Sequence, residues 1–218
     1  MIKKLGFTLA EVLITIGIIG VIAAVTLPAL NSNVSNAALE KQTQKFYTQL
    51  SRAFDLYKVD NEIDSITAMD FDANAFVKKY FNIIGKCENA DDCYAPQYTY
   101  MGSNELIRGI QWFNKNSTYV LADGTVFTIE NYTESTPVNV TFDVNGKKGP
   151  NKVGRDLWAV SVYYDGSVDE GGITPEIRKG YSDTLKQAVA SEFKRCKTNS
   201  CGGGCFGHFM RNNFKFDY

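Results

Sequence analysis

The sequence predicts an α+β chain in which a long N-terminal helix, apolar in its first half and amphipathic in its second, lies on an antiparallel β-sheet head. Three observations carry that expectation: an apolar run from Phe7 to Leu27, an apolar stripe at helical spacing that resumes at Leu39, and a β-rich stretch between Tyr98 and Val168. A chain of 218 residues has room for one such helix and one domain with a proper core. Its 44% hydrophobic and 13% aromatic content excludes global disorder. Lys and Arg number 23 against 24 Asp and Glu, so no overall basic field is available for nucleic acid or anionic lipid.

As a helix, Phe7 to Leu27 would extend about 30 Å, the thickness of a bilayer's hydrocarbon core, so it reads as a transmembrane segment. Lys3 and Lys4 precede the run and no basic residue follows until Lys41, which predicts a cytoplasmic N-terminus and an extracytoplasmic head. Pro28 lacks a backbone donor and predicts a kink, because helical periodicity resumes beyond it. After a polar joint at Asn31 to Asn36, the spacing of Leu39, Phe46, Leu50, Phe54 and Tyr57 predicts an amphipathic helix over 37–58, ending near Asp60 and Asn61. A second helix is expected over 73–84, capped by Asp72 and stopped by Gly85. Strands follow at Thr118 to Leu121, Val126 to Glu130, Val138 to Asp143 and Leu157 to Tyr164, with Asp123-Gly124 as a hairpin turn. Ser182 to Arg195 reads as a further helix, and the tail from Phe206 to Tyr218 as a terminal strand burying alternate aromatics.

Glu11 is the anomaly, because a carboxylate inside an apolar run costs on the order of 2 to 3 kcal/mol in hydrocarbon. An ordinary secretory signal, cut after Val21-Ile-Ala23, accounts for the lysines and leaves the glutamate without a purpose. Lys3-Lys4-Leu5-Gly6 followed by Phe7-Thr8-Leu9-Ala10-Glu11 resembles the prepilin motif of type IV pilins and type II secretion pseudopilins. The resemblance implies a leader over 1–6, cleavage between Gly6 and Phe7 by a prepilin peptidase, N-methylation of Phe7, an assembly helix over 7–30 and a pilin-like head over 31–218. It further implies that Glu11 of one subunit meets the terminal ammonium of a neighbour in the filament core, so that two costly charges become a buried pair. A residue without a Cβ at Gly6 gives the peptidase close access to the backbone.

The implied protein is a minor pilin or pseudopilin, not an enzyme. It would be held in the bacterial inner membrane as a single-pass protein and then drawn into a pilus or periplasmic filament. Its partners would be the peptidase, sister pilins, the membrane, an inner-membrane assembly platform and a separate ATPase, since the chain has no nucleotide-binding motif. His208 is the only histidine, and a Cys–His nucleophile with Cys201 or Cys205 competes poorly with disulfide formation. The alternative is a membrane-tethered binding module for ligand, DNA or calcium, although the aromatic tail gives no firm nucleic-acid signal.

The five cysteines, Cys87 and Cys93, then Cys196, Cys201 and Cys205, fall in loop-like sequence without paired C-x-x-C knuckles. They therefore read as disulfide candidates in an oxidising compartment. No cofactor is required. Asp143 and Asn145 are offset like the first ligands of a calcium loop, with Asp165 and Asp169 as further carboxylates, but the remaining ligands of an EF-hand are missing.

Overall fold

A computed structural model describes residues 9–103, 105–107, 118–133, 136–180, 182–197 and 203–218, without the side chains of 23 and 25–34. The chain forms two compact units, residues 1–38 and Leu39–Tyr218. Helix α1, Leu9–Asp60, contributes to both. Pro28 lies inside its range and not at its end.

In the first unit Leu9, Val12, Leu13, Ile14, Ile16, Ile18, Ile19, Val21 and Ile22 are all exposed, so the helix is apolar on every side. Among the described residues, however, no helix is long and apolar enough to cross a membrane. The expected membrane-spanning half, and with it the single-pass placement in the inner membrane, is therefore corrected.

In the second unit the predicted stripe is present: Leu39, Phe46, Leu50, Ala53 and Phe54 of α1 are buried. They pack on a six-stranded antiparallel sheet built from β1 (Ile83–Cys87), β4 (Thr118–Leu121), β5 (Val126–Asn131), β6 (Val138–Asp143), β7 (Leu157–Val162) and β8 (Val168–Asp169), in the order β1-β4-β5-β6-β7-β8. The register sets Phe127 opposite Phe142 and Phe142 opposite Trp158. Because alternate residues share a face, these three rings form one apolar row. Phe46 reaches it, with ring centroids 5.4 Å from Phe127 and 4.5 Å from Phe142.

The other face carries Thr118, Thr128, Thr141 and Asp143, and it too is covered. Tyr94 bonds the Thr128 hydroxyl at 3.1 Å and donates to the Thr141 carbonyl at 2.9 Å. The covering segment follows a short helix α3, Ala90–Cys93, and leads into a small two-stranded sheet, β2 (Tyr98–Thr99) with β3 (Leu106–Ile107). The expected hairpin turn is formed at Asp123-Gly124, where Gly124 adopts φ +90° and donates to the Leu121 carbonyl.

Two expectations fail for local reasons. The second helix, α2, spans Ala73–Tyr80, and the chain then turns extended at Phe81 (φ −123°, ψ 140°), so Ile83 to Cys87 pair with β4 through an irregularity at Ile83/Gly85. The tail is not a strand. Phe206–Arg211 forms helix α6, with Phe206 and Phe209 one turn apart and both buried against Trp158 at 5.7 and 4.7 Å. Helices α4 (Pro175–Lys179) and α5 (Ser182–Lys197) precede it.

Phe46→Ala should lower the head's unfolding free energy by about 3 to 5 kcal/mol, since it empties the contact between α1 and the sheet. Met69→Ala, at an 89% exposed position, should stay within about 0.5 kcal/mol. Urea titrations of both variants decide it, and equal midpoints would show that the stripe does not organise the core.

Candidate functional site

Gly6 and Phe7 lie outside the described residues. Glu11 lies in the first described turn of α1, within the exposed apolar surface. Disulfides join Cys87 to Cys93 and Cys196 to Cys205, while Cys201 lies outside the described residues. The first bridge ties β1 to α3, and the second ties the end of α5 to the residue before α6.

The carboxylates read from sequence as calcium candidates are held by protein donors. Asp143 Oδ2 accepts the Tyr98 hydroxyl at 2.5 Å, and Oδ1 accepts the Asn145 N–H at 2.9 Å, which makes Asp143-Val-Asn145 a side-chain-capped turn. Asn145 Nδ2 then donates to the Gly149 carbonyl at 3.0 Å. Asp156 closes the same loop by accepting the Asn151 and Lys152 N–H groups, each at 2.7 Å. Asp165 and Asp169 belong to a separate network around Arg178, at 3.5 and 3.9 Å. Arg211 meets both oxygens of Asp169, at 2.9 and 2.6 Å. Among the described residues no group of three or more His, Cys, Asp or Glu is arranged to hold a metal ion.

The sequence shows Glu170 only as one more carboxylate after Asp169 and Glu40 only as a polar position of the amphipathic helix, without the roles they have here. Glu170 is buried beside Asp169 and accepts N–H bonds from Gly204, Phe206 and Gly207. Glu40, on the buried side of α1, accepts from Lys215 Nζ at 2.7 Å and from the Phe216 N–H at 2.9 Å, pinning the tail to the helix. A signal for Glu40 existed, since it follows Leu39 on the apolar stripe. Its partner, far along the chain at Lys215, had none. His208 Nε2 makes a hydrogen bond with Asp217 at 2.9 Å and the ring stacks on Phe193 at 3.8 Å, so it serves packing and a polar contact within the C-terminal region.

Burial raises the pKa of three of these acids. Asp143 and Asp156 are 0% exposed. Loss of water pushes Asp143 up to about 7, with the neighbouring Asp156 adding to the rise and the Tyr98 and Asn145 bonds opposing it. Asp156 is pushed to about 6 by burial, against the N–H groups of its own loop. Glu170 is pushed to about 7 by burial, which outweighs its backbone donors.

Parts of the chain are similar to the type II secretion system core protein G of three bacteria. Identity is 41% over 59 residues with the Escherichia coli (strain K12) protein, covering 27% of this chain and 40% of that one. It is 34% over 73 residues with the Vibrio cholerae protein, covering 34% and 49%, and 35% over 71 residues with the Aeromonas hydrophila protein, covering 33% and 49%. The chain therefore spans under half the length of the curated relatives it matches. No family model matches it, and no solved structure matches it significantly. At a coarse level these partial matches support a relationship to the pseudopilin and type IV pilin family.

The raised acids set a pH dependence. Between about pH 4.5 and 7 the folded head keeps protons on Asp143, Asp156 and Glu170 that the unfolded chain releases, so the stability these three contribute is full below this window and is lost as pH rises through it. Glu176, held at about 2 chiefly by the Tyr164 hydroxyl, is ionised in the folded head throughout this window, and the opposing slope it adds fades once the unfolded chain has also ionised it, above about pH 5.5. The urea midpoint should therefore be higher at pH 5.5 than at pH 8, and Asp143→Asn should flatten the difference. A midpoint that rises toward pH 8 would contradict the placement of these groups.

Proposed function

We propose that the chain is a structural subunit, a minor pilin or pseudopilin, that enters a helical filament of the type IV pilus or type II secretion kind through its N-terminal helix. The observation that carries this reading is the surface of α1 in the first unit, where apolar side chains from Leu9 to Ile22 are exposed on every side. A helix apolar all round needs cover on all faces, and a bundle of like helices supplies it. The partial similarity to core protein G supports the same reading.

On this reading a prepilin peptidase cuts between Gly6 and Phe7 and methylates the new amine. Glu11 then fixes register by meeting that ammonium on an adjoining subunit. The pair is tolerated inside an apolar bundle because each charge neutralises the other, whereas either one alone would be a buried unpaired ion. Sister subunits, an assembly platform and a separate ATPase complete the apparatus, since the chain has no nucleotide-binding motif.

Gly6→Val should leave the precursor uncut, as seen by intact mass. Glu11→Ala should be cut normally yet assemble poorly, because an ammonium left without its counter-charge costs about 3 to 5 kcal/mol. Glu11→Asp should fall between, keeping the charge with a shorter reach. The measurement is the amount of each variant in sheared filaments relative to the cell-associated pool. Equal incorporation of Glu11→Ala and wild type would remove the register role from Glu11 and, with it, the proposed mode of assembly.

A further inference from the structure

Helix α1 ends on a cleft of about 530 Å³ lined by Asp55, Lys58, Val59, Glu62, Ile63 and Asp64. Its floor is apolar, with Val59 72% exposed and Ile63 half-buried. Asp55, Glu62 and Asp64 are exposed around it, and among the described residues none of these three carboxylates has a hydrogen-bond or ion-pair partner. The one lysine of the cleft does not neutralise them, because Lys58 Nζ donates to the Asp165 carbonyl at 2.8 Å. The turn is held in place. The Ile63 N–H donates to the Lys58 carbonyl at 3.0 Å, and the Ile66 N–H to the Tyr164 carbonyl at 2.7 Å.

The opposite charge stands at the other end of the sheet. Strands β6 and β7 are antiparallel, with Val138 opposite Val162 at one end and Asp143 opposite Leu157 at the other. The cleft is fastened to Tyr164 and Asp165, just past Val162, whereas the connection over 144–156 leaves from Asp143 and returns at Leu157. On that connection Lys147, Lys148 and Pro150 are exposed, and among the described residues neither lysine has an acidic partner. The length of a six-residue strand, about 20 Å, separates the two features, so the lysines of one molecule do not reach its own cleft. Their loop is ordered in advance. Asp143 accepts the Asn145 N–H at 2.9 Å, and Asn145 Nδ2 donates to the Gly149 carbonyl at 3.0 Å, so docking this loop loses little conformational entropy.

We propose that the cleft receives the Lys147-Lys148 loop of a second copy of this chain, joining heads end to end. This deepens the filament reading and rests on it for bringing copies together. Two ammonium groups meet three carboxylates and the negative C-terminal end of α1, while the Pro150 ring gives apolar cover to Val59. A twofold arrangement would set cleft against cleft, and like charge against like. The contact is therefore heterologous: each head fills one neighbour's cleft and leaves its own for the next, so the pairing continues as a line. Exposed ion pairs are weak singly and screened by salt, and this contact gains its strength from copies held close together.

Carbodiimide coupling, which joins a carboxylate to an amine only where the two touch, tests this on the purified full chain in detergent. In an equal mixture of isotope-labelled and unlabelled chains, cross-links between the two kinds should join Lys147 or Lys148 to Asp55, Glu62 or Asp64. Raising the salt to about 0.5 M should lower their yield several-fold. Reversing the loop, Lys147→Glu with Lys148→Glu, should lower it by about 10-fold or more, and so should reversing the cleft, Asp55→Lys with Glu62→Lys and Asp64→Lys. Mixing the two reversed chains should restore coupling with the roles exchanged, a result that misfolding of either chain cannot produce. Absence of mixed-isotope coupling between these positions overturns the proposal. So does a mixture of reversed chains that couples no better than either alone. Filament entry is no part of the readout, so coupling by a chain that is absent from sheared filaments supports this contact and tells only against the filament reading.

Discussion

The head depends on a single packing relationship, the stripe Leu39, Phe46, Leu50, Phe54 of α1 seated on the row Phe127, Phe142, Trp158 of the sheet. A sheet has two faces, and covering one with a helix leaves the other to be dealt with. Here the segment through Tyr94 and Tyr98 closes it, and the price is a set of polar groups removed from water. Thr118, Thr128 and Asp143 are buried, each with a hydroxyl or N–H partner. Buried polar atoms are stable only when bonded, so the phenols of Tyr94 and Tyr98 act as both apolar cover and hydrogen-bond donors. The same sheet row receives α6 on its far end, where Phe206 and Phe209 meet Trp158.

What was legible beforehand follows from the range over which each signal acts. The α1 stripe and the Asp123-Gly124 hairpin are local patterns, written in spacings of three to four residues or in one dipeptide. Strand β1 was hidden because Ile83 and Ile84 continue the apolar content of α2, and only the pairing with Thr118 to Leu121 draws them into the sheet. In the tail, Phe206 and Phe209 read as alternation when joined to Phe214 and Phe216, although three residues apart they already suit a helical turn. Asp143, Asp165 and Asp169 read only as weak calcium candidates, because a sequence displays oxygens and not their donors. Asp169 has its partner at Arg211 and Asp143 at Tyr98, contacts that no local pattern announces. The apolar N-terminal run was overread in another way: composition suggested a membrane span, yet among the described residues no helix has the length and apolarity for one.

The acids also show why residue type alone is a poor guide to role. Asp143, Asp156, Asp169 and Glu170 are all buried carboxylates of the same head. Asp143 and Asp156 shape one loop through N–H and phenol donors, Asp169 is neutralised by guanidinium, and Glu170 has only backbone amides. The proton affinities of Asp143, Asp156 and Glu170 are raised above those of exposed acids, and the cause in each is removal from water. Loops built this way resist rearrangement, because moving any donor leaves a charge stranded.

On the proposed reading, in which the chain assembles with copies of itself, the margins of the sheet carry a further consequence. An open strand edge is a template for any other strand, and crowded heads with long flat edges would zip together indiscriminately. Here one margin, β1, is irregular at Ile83/Gly85 and fastened through Cys87 to α3, and the other, β8, is only two residues long with Asp169 and Glu170 drawn inward. Neither offers the run of free backbone groups that indiscriminate pairing requires. In the proposed filament, contacts between heads would then be made by side chains, so neighbours would be chosen by shape and charge, and a close array of heads could remain ordered instead of fusing into one continuous sheet.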